Sequence, residues 1–167
     1  ATAHAPDLAD TVIREAAVMR RQVDHHLARA RAVGRRAAGL SRANVWISLE
    51  AVLRAVERLY PHARFDLAGD HDAMVALERQ DLEEILGNLI ENAAKYGGGS
   101  VFVTVGDGKA DPRWYEIWIE DDGMGIPAAE RERIFDRGAR LDTGKPGTGL
   151  GLAIVRDVAE IYGGTVE

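Results

Sequence analysis

Mostly apolar or small residues recur at alternating steps of four and three near the start of the chain. The stretch 8–38 contains no proline and one glycine, and its repeating positions are Val12, Ala16, Met19, Val23, His26, Ala30, Val33 and Ala37. This heptad spacing is typical of a helix that packs along another helix. Because much of the stripe is alanine, the isolated helix would be weakly amphipathic. We therefore predict that residues 1–40 form one arm of a helical hairpin.

After Ser41, short strand-like runs alternate with helical patterns. Predicted strands cover 45–47, 63–67, 73–77, 100–106 and 113–120, and predicted helices cover 49–60, 79–96, 127–134 and 149–162. Ser48 is expected to cap the first of these helices and Pro61 to end it. Residues 136–148 are expected to form a long flexible loop. This order predicts an α+β domain over 41–167, a two-layer α/β sandwich in which a mixed sheet packs on helices.

The predicted helix 79–96 carries two neighbouring stripes. The core stripe is Leu82, Ile85, Leu86, Leu89, Ile90 and Ala93, and the polar stripe beside it is Asn88, Glu91, Asn92 and Lys95. A buried amide without a partner costs about 1–3 kcal/mol, so a row of amides at the edge of a core is unusual. A wet helix edge would explain a single asparagine. The whole stripe, ending in a lysine, is better explained by a ligand rich in charge and oxygen.

Two glycine-rich stretches supply further candidate chemistry. In "EDDGMGIP" (120–127), Asp121 precedes Gly123 and Gly125, so a carboxylate that can accept from an amine stands beside backbone that a flat ligand can approach. An ordinary Asp-Gly turn is the alternative for this stretch alone. "GTGLGLAIV" (147–155) leads into an apolar helix, whose first amides could face phosphates. Its spacing is not G-x-G-x-x-G and it follows a loop, which excludes a Rossmann motif.

Composition and charge narrow the class of protein. The 167 residues lack cysteine, which excludes disulfides and thiolate metal sites, and no apolar run approaches the roughly 20 residues that span a bilayer. Residues 1–44 carry eight arginines and four acids (+4), whereas 45–167 carry ten more acidic than basic residues (−10). The two parts are therefore expected to be different structural units. The cluster "RARAVGRR" (29–36) lacks aromatic residues, and we interpret it as a solvated helix face and not as a nucleic-acid patch.

Four boxes, in order along the chain, make 45–167 resemble the catalytic ATP-binding domain of sensor histidine kinases. They are "NLIENAAKY" (the N box), "DDGMGI" (the first glycine box), "IFDRG" (the F box) and "GTGLGL" (the second glycine box). The run "FDRGARLDTGKPGTGLGLA" is similar to the PhoQ-type subgroup of that family. The resemblance implies a Bergerat fold that holds ATP between the N-box helix and a mobile lid.

The same resemblance implies a role for each matching residue. Asn92 would ligate Mg²⁺, with Asn88 and Lys95 on the phosphates, and Asp121 would accept from the adenine amine. The residues expected to shape the pocket around these are Tyr96, Gly123, Gly125, Ile126, Gly147, Thr148, Gly149, Leu150 and Gly151. Arg137 and Lys145 are expected lid cations, with a solvated loop as the alternative for Lys145, and Phe135 is an expected packing residue at the lid.

The N box distinguishes a kinase from a hydrolase. Related ATPases place a water-polarising Glu where this chain has Asn88, and an amide cannot take a proton. This favours transfer of the γ-phosphoryl group over its hydrolysis. Glu91 is the nearest carboxylate on the helix, and we interpret it as a solvated or helix-pairing residue.

A sensor kinase also needs an acceptor histidine in a His-acid-apolar-basic-Thr-Pro box. None of the five histidines, His4, His25, His26, His62 and His71, stands in one. We therefore expect the acceptor helix to lie outside this chain, which alone should bind ATP without autophosphorylation. A further strand is expected after Glu167, and a membrane segment is expected elsewhere in the protein. The expected partners are a second copy and a response regulator, at the cytoplasmic side of an inner-membrane sensor. The alternative is a nucleotide-binding regulatory or dimerisation module without kinase activity.

Overall fold

The computed structural model describes residues 41–108, 114–136, 138–139 and 149–167, together with separate positions near the start of the chain. Those positions are Val12, Ala16, Met19, Val23, His26, Leu27, Ala30, Val33 and Gly34, all helical and exposed. They include seven members of the predicted heptad stripe, and Ala37 lies outside the described residues. The expected arm of a helical hairpin over 1–40, with its dimerisation role, stays a prediction.

The domain that follows alternates strands and helices. The strands are β1 (Ala43–Asn44), β2 (Arg64–Gly69), β3 (Met74–Val75), β4 (Ser100–Asp107) and β5 (Tyr115–Asp121), and the α-helices are α1 (Val45–Leu59), α2 (Arg79–Tyr96) and α3 (Gly151–Ile161). Two 3₁₀ turns, Ala128–Glu130 and Arg133–Phe135, stand between β5 and α3. Among the helices in these described ranges, none combines the length and the apolarity that a membrane span needs.

A mixed three-stranded sheet, in the order β2-β4-β5, forms one layer. β2 runs parallel to β4 from Arg64↔Ser100, and β4 runs antiparallel to β5 from Val101↔Asp121. The inward residues of β4 are Val101, Val103 and Val105, each 1% exposed. Since alternate strand residues face one side, these valines face the helices, whereas Phe102 lies on the opposite side of the strand and is exposed. The predicted α+β sandwich with a mixed sheet is confirmed.

The helix α2 is the central element of the other layer. It packs against α1 and α3 as well as against the sheet. Its predicted bounds, 79–96, are those observed, and Leu82, Leu86, Ile90 and Ala93 of the predicted core stripe are buried. Ile85 and Leu89 are half-buried at the margin of that stripe. The polar stripe therefore lies at the edge of the core, where both α3 and the end of β5 can reach it.

The prediction of a strand at 45–47 with Ser48 as a cap is wrong. The helix α1 already begins at Val45, and the side chain of Asn44 caps it by accepting from the Ile47 amide at 2.9 Å. Ser48 is wholly buried inside the helix, and its hydroxyl has no hydrogen-bond partner within the described part of the chain. Burial of Val45 and Leu49 on one helical face outweighs the local strand preference of the sequence.

Other elements also differ from the sequence predictions, and the strand expected at 73–77 is only Met74–Val75. The helix expected at 127–134 is a pair of single 3₁₀ turns, and the last helix begins at Gly151 instead of Gly149. Gly149 has a φ of 66°, a left-handed conformation that glycine adopts without strain and that cannot belong to an α-helix.

Candidate functional site

The N-terminus of α3 lies directly against the polar stripe of α2. A Cβ placed on Gly151 would be 2.9 Å from Asn88 Oδ1 and 3.8 Å from Asn92 Nδ2. Glycine allows this approach without displacing the Asn88 side chain, and the second glycine box and the N box meet at Gly151. Sequence spacing alone could not have placed these two boxes side by side.

The Asn88 side chain is held in a defined orientation. Its Nδ2 donates to the Glu84 carbonyl, one turn back on α2, at 2.8 Å. The carbonyl oxygen of the same amide therefore turns toward the first turn of α3. No side chain of the described residues caps α3, and the first amides of a helix have no acceptor within it. The first amides of α3 and the positive end of its helix dipole thus suit an anionic ligand.

The C-terminal end of α2 meets the turn after β5. Gly97 follows the helix directly, and a Cβ there would lie 2.9 Å from the Asp121 Cβ. A Cβ on Gly123 would lie 2.9 Å from both the Tyr96 carbonyl oxygen and the Gly97 Cα. Two backbones therefore pack onto each other, which requires glycine at both positions. This packing brings the exposed carboxylate of Asp121 to the end of the polar stripe.

The Asp121 carboxylate is oriented by its own turn. Its Oδ1 accepts from the Gly123 amide at 2.9 Å, the hydrogen bond of an Asx-turn. Gly125 follows with a φ of 71°, and a Cβ there would meet nothing within 4 Å. The two glycines of this box thus have different causes, since Gly123 permits close packing and Gly125 permits a left-handed conformation. Ile126 is half-buried, and its carbonyl accepts from Arg131 Nε at 3.2 Å.

Lys95 and Tyr96 close the polar stripe. The Lys95 ammonium lies 5.1 Å from the centroid of the Tyr96 ring, within the range of a cation–π contact. Tyr96 is 39% exposed and Lys95 is half-buried. From Asn88 to Tyr96 the helix rises about 12 Å. The stripe therefore connects the junction with α3 to the turn that carries Asp121 over a length comparable with an extended nucleotide.

Glu91, the nearest carboxylate on the N-box helix, faces α1. Its Oε1 accepts from the Tyr60 hydroxyl at 3.2 Å. Burial raises the pKa of the Tyr60 phenol, and the neighbouring Glu91 carboxylate raises it further. This contact joins α2 to Tyr60, the residue that follows α1, and Glu91 stays exposed.

Sequence reasoning missed Asp122, which fastens the first glycine box to the sheet. Its Oδ1 accepts from the Ser100 amide at 2.9 Å, while its own amide donates to the Ser100 carbonyl at 3.3 Å. The hydrogen bond from Ser100 lowers the pKa of the Asp122 carboxyl below its ordinary value. The second Asp of "DDG", together with the "GGG" that follows α2, is the signal that could have indicated this contact.

The F box is attached to α3. Arg156 donates to the Phe135 carbonyl at 3.0 Å, and its guanidinium carbon lies 5.7 Å from the centroid of the Phe135 ring. Phe135 is half-buried, in agreement with its predicted packing role. The Gly138 amide donates to the Gly149 carbonyl at 3.0 Å, so the chain on both sides of 140–148 comes together before α3.

The predicted site residues thus fall into two groups. The structure brings together Asn88, Asn92 and Gly151 at one end, and Tyr96, Asp121 and Gly123 at the other. Leu150 lies beside the first group as the residue that precedes α3, where its carbonyl accepts from the Ile154 amide at 2.9 Å. The predictions for Arg137, Lys145, Gly147 and Thr148, and the loop predicted at 136–148 beyond its first residues, lie outside the described residues.

Comparison with known proteins identifies the family of this chain. Residues 78–167 match the family model described as "Histidine kinase-, DNA gyrase B-, and HSP90-like ATPase". The two-component sensor PhoQ of Pseudomonas aeruginosa is 39% identical over 89% of this chain, and the chain spans 33% of that relative's length.

Solved structures show the same fold. The mycobacterial sensor histidine kinase MprB superimposes with a TM-score of 0.65 at 31% identity, covering 74% of this chain and 80% of that one. Full-length ShkA in complex with AMPPNP gives a TM-score of 0.61 at 28% identity, covering 96% of this chain and 35% of that one.

Proposed function

This chain belongs to the histidine kinase-, DNA gyrase B- and HSP90-like ATPase family and contains the ATP-binding catalytic domain of a two-component sensor histidine kinase, and on this premise we propose how its residues serve phosphoryl transfer. ATP lies along the polar stripe of α2, with its phosphates at the junction with α3 and its adenine at the turn after β5. The observation that carries this orientation is the approach of Gly151 to the Asn88 and Asn92 amides.

At the α3 end, Asn88 contacts phosphate oxygens and the first amides of α3 point at them, and the long side chain of Lys95 reaches toward the phosphates from the other end of the stripe. At the adenine end, Asp121 accepts from the exocyclic amine, and Tyr96 forms a wall of the pocket. Because Gly123 N–H already orients the Asp121 carboxylate, that acceptor is pre-organised and binding costs little side-chain entropy.

The donor set fits Mg²⁺ bound together with the nucleotide. Asn92 is half-buried on α2, next to Asn88 and Gly151, and offers a neutral oxygen of the kind that a hard cation accepts. Mg²⁺ is usually held by few protein ligands plus phosphates and water, so one asparagine suffices. Bound there, the cation would offset the charge on the phosphate oxygens during transfer.

The chain is better suited to transfer than to hydrolysis. Asn88 cannot take a proton from water, and Glu91 is hydrogen-bonded by Tyr60 on the α1 side. The γ-phosphoryl group is therefore kept for a histidine on the other helix of the predicted hairpin. In the full protein this implies a homodimer through that hairpin, a response regulator that receives the phosphoryl group, and a cytoplasmic position in an inner-membrane sensor.

Calorimetric titration with Mg-ATP tests the metal assignment. Asn92→Ala should leave the fold intact and weaken Mg-ATP binding by about tenfold or more, which corresponds to about 1.4 kcal/mol. Glu91→Ala is the matched control, because Glu91 neighbours Asn92 on the same helix but faces α1. Equal affinity of Asn92→Ala and the parent would refute the metal role.

Incubation with γ-labelled ATP tests the reaction. The chain alone should bind Mg-ATP without forming acid-labile phosphohistidine, and a separately supplied acceptor hairpin should become labelled. Label at His4, His25 or His26 would place the acceptor within this chain and overturn the proposal. Binding of ATP without transfer to the hairpin would favour a regulatory nucleotide-binding module.

A further inference from the structure

Arg156 links the last helix to the F box through three contacts. Its Nη2 donates to the Phe135 carbonyl at 3.0 Å and lies 3.6 Å from Asp136 Oδ1, and its guanidinium carbon lies 5.7 Å from the Phe135 ring centroid. A planar guanidinium can donate to a carbonyl and a carboxylate while it stacks on a ring, a combination that an ammonium cannot reproduce. The Arg156 side chain thus contacts the Phe135 carbonyl, the Asp136 carboxylate and the Phe135 ring at the end of the second 3₁₀ turn.

The same helix forms the proposed phosphate end of the site. Gly151, five residues before Arg156 and about 7.5 Å away along the axis, lies against Asn88. The Gly138 amide also donates to the carbonyl of Gly149, just ahead of the helix. The F-box region is therefore hydrogen-bonded on both sides of the first turn of α3. Gly138 bonds Gly149 ahead of this turn, and Phe135 bonds Arg156 after it.

Two other arginines in this region make only local contacts among those described. Arg131 donates to the Ile126 carbonyl at 3.2 Å, and Arg133 donates to both oxygens of Glu130 at 3.0 and 3.1 Å. These bonds join residues three to five positions apart, whereas Arg156 and Phe135 are 21 positions apart. Arg156 therefore differs from its neighbours in joining the F box to another element of the domain.

We propose that Arg156 is a positioning residue for nucleotide binding. By holding Phe135 and Asp136, it fixes the F box to α3, so that the first turn of α3 keeps the orientation in which its amides meet the phosphates. The inference rests on the proposed function, because it assumes that the phosphates lie at this turn. Arg156 acts through the helix and touches neither the Asn88 amide nor the Asp121 carboxylate in any described contact.

The test compares ATP with adenosine, which lacks phosphates, by titration of the whole chain. Arg156→Met keeps most of the apolar stem and removes the donors and the charge. It should weaken ATP binding about fivefold or more, the lower range of typical coupling between sites, and leave adenosine binding unchanged. Arg133→Met is the matched control, since it removes a locally bonded arginine, and both affinities should equal those of the parent.

Two further variants keep the outcome decisive. Arg156→Lys retains the charge on a single donor nitrogen and should restore part of the ATP affinity, whereas Asp136→Asn removes only the exposed ion pair and should cause a smaller loss of ATP affinity. If Arg156→Met does not fold, Asp136→Asn decides, and an unchanged ratio of ATP to adenosine affinity would overturn the inference. An equal loss for both ligands in Arg156→Met would also overturn it, because that result indicates a general structural role.

The parent chain separates this inference from its premise. Failure of the parent to bind ATP would refute the proposed function itself. Binding by the parent that Arg156→Met leaves unaltered would refute only the role of Arg156.

Discussion

Glycine makes close contact possible at both ends of the polar stripe, but the atoms that contact the glycine differ between the two ends. At the α3 end, Gly151 lies against the tip of the Asn88 side chain, and at the β5 end, Gly123 lies against the backbone of Tyr96 and Gly97 as well as the Asp121 carboxylate. A side chain can rotate away from an added methyl group, whereas two packed backbones cannot separate without moving the helix or the strand. The first contact is therefore adjustable, and the second fixes the geometry of the domain.

The largest effect is expected at the backbone contact. Gly123→Ala should destabilise the domain by about 1–3 kcal/mol, the usual cost of overpacking, since its Cβ would lie 2.9 Å from two backbone atoms. Urea denaturation would measure this loss. Gly87→Ala is the control, because a Cβ there meets nothing within 4 Å and alanine favours the helix interior by about 0.5–1 kcal/mol. If Gly123→Ala proved as stable as the parent, the distinction between the two ends would disappear.

A smaller effect is expected at the side-chain contact. Gly151→Ala should cost about 1 kcal/mol, because the Asn88 amide has to leave its hydrogen bond to the Glu84 carbonyl to make room. In an Asn88→Ala background the same substitution should cost less, since no amide remains to be displaced. A double-mutant cycle measured by denaturation gives this coupling. If the stability losses of Gly151→Ala and Asn88→Ala were additive, the new methyl group would collide with a residue other than Asn88.

The smallest effect is expected for the exposed hydrogen bond between the Ser100 amide and the Asp122 carboxylate at the β5 end. The pKa of Asp122 is lowered in the folded state, so its carboxylate stabilises the fold above its unfolded pKa. That contribution is lost as the pH falls through the folded pKa. Asp122→Asn should therefore be less stable than the parent at neutral pH, and the difference should shrink as the pH falls below 3.8. A difference that stays constant in denaturation curves from pH 7 to pH 3 would exclude the charged hydrogen bond.

Most of the secondary structure could be predicted because it depends on local patterns. The helix 79–96 has a clear apolar stripe and a glycine run after it, and its bounds are correct. The predicted start of α1 was wrong because 45–47 alone resembles a strand. Only the packing of Val45 and Leu49 in the core of the domain selects the helix. Propensity over three residues is weak compared with burial of a whole helical face.

The candidate site, like the fold, could be predicted from the sequence only in part. The boxes indicated which residues take part, and the structure brings Asn88, Asn92 and Gly151 together, while the role of each residue stays a prediction. Asp122 and Arg156 were not found, because each acts on a residue about twenty positions away in sequence. Such contacts leave no periodic signal in the chain.

The sequence by itself determined the class of this domain, since the four boxes, the heptad stripe and the strand alternation are all local properties of the chain. Only the tertiary structure decided which glycine meets a side chain and which meets a backbone, that Glu91 pairs with Tyr60, and that Arg156 holds the F box. The physical reason is that hydrophobic periodicity reports which face of an element is buried. It does not report which element covers that face, and that depends on the packing of the whole domain.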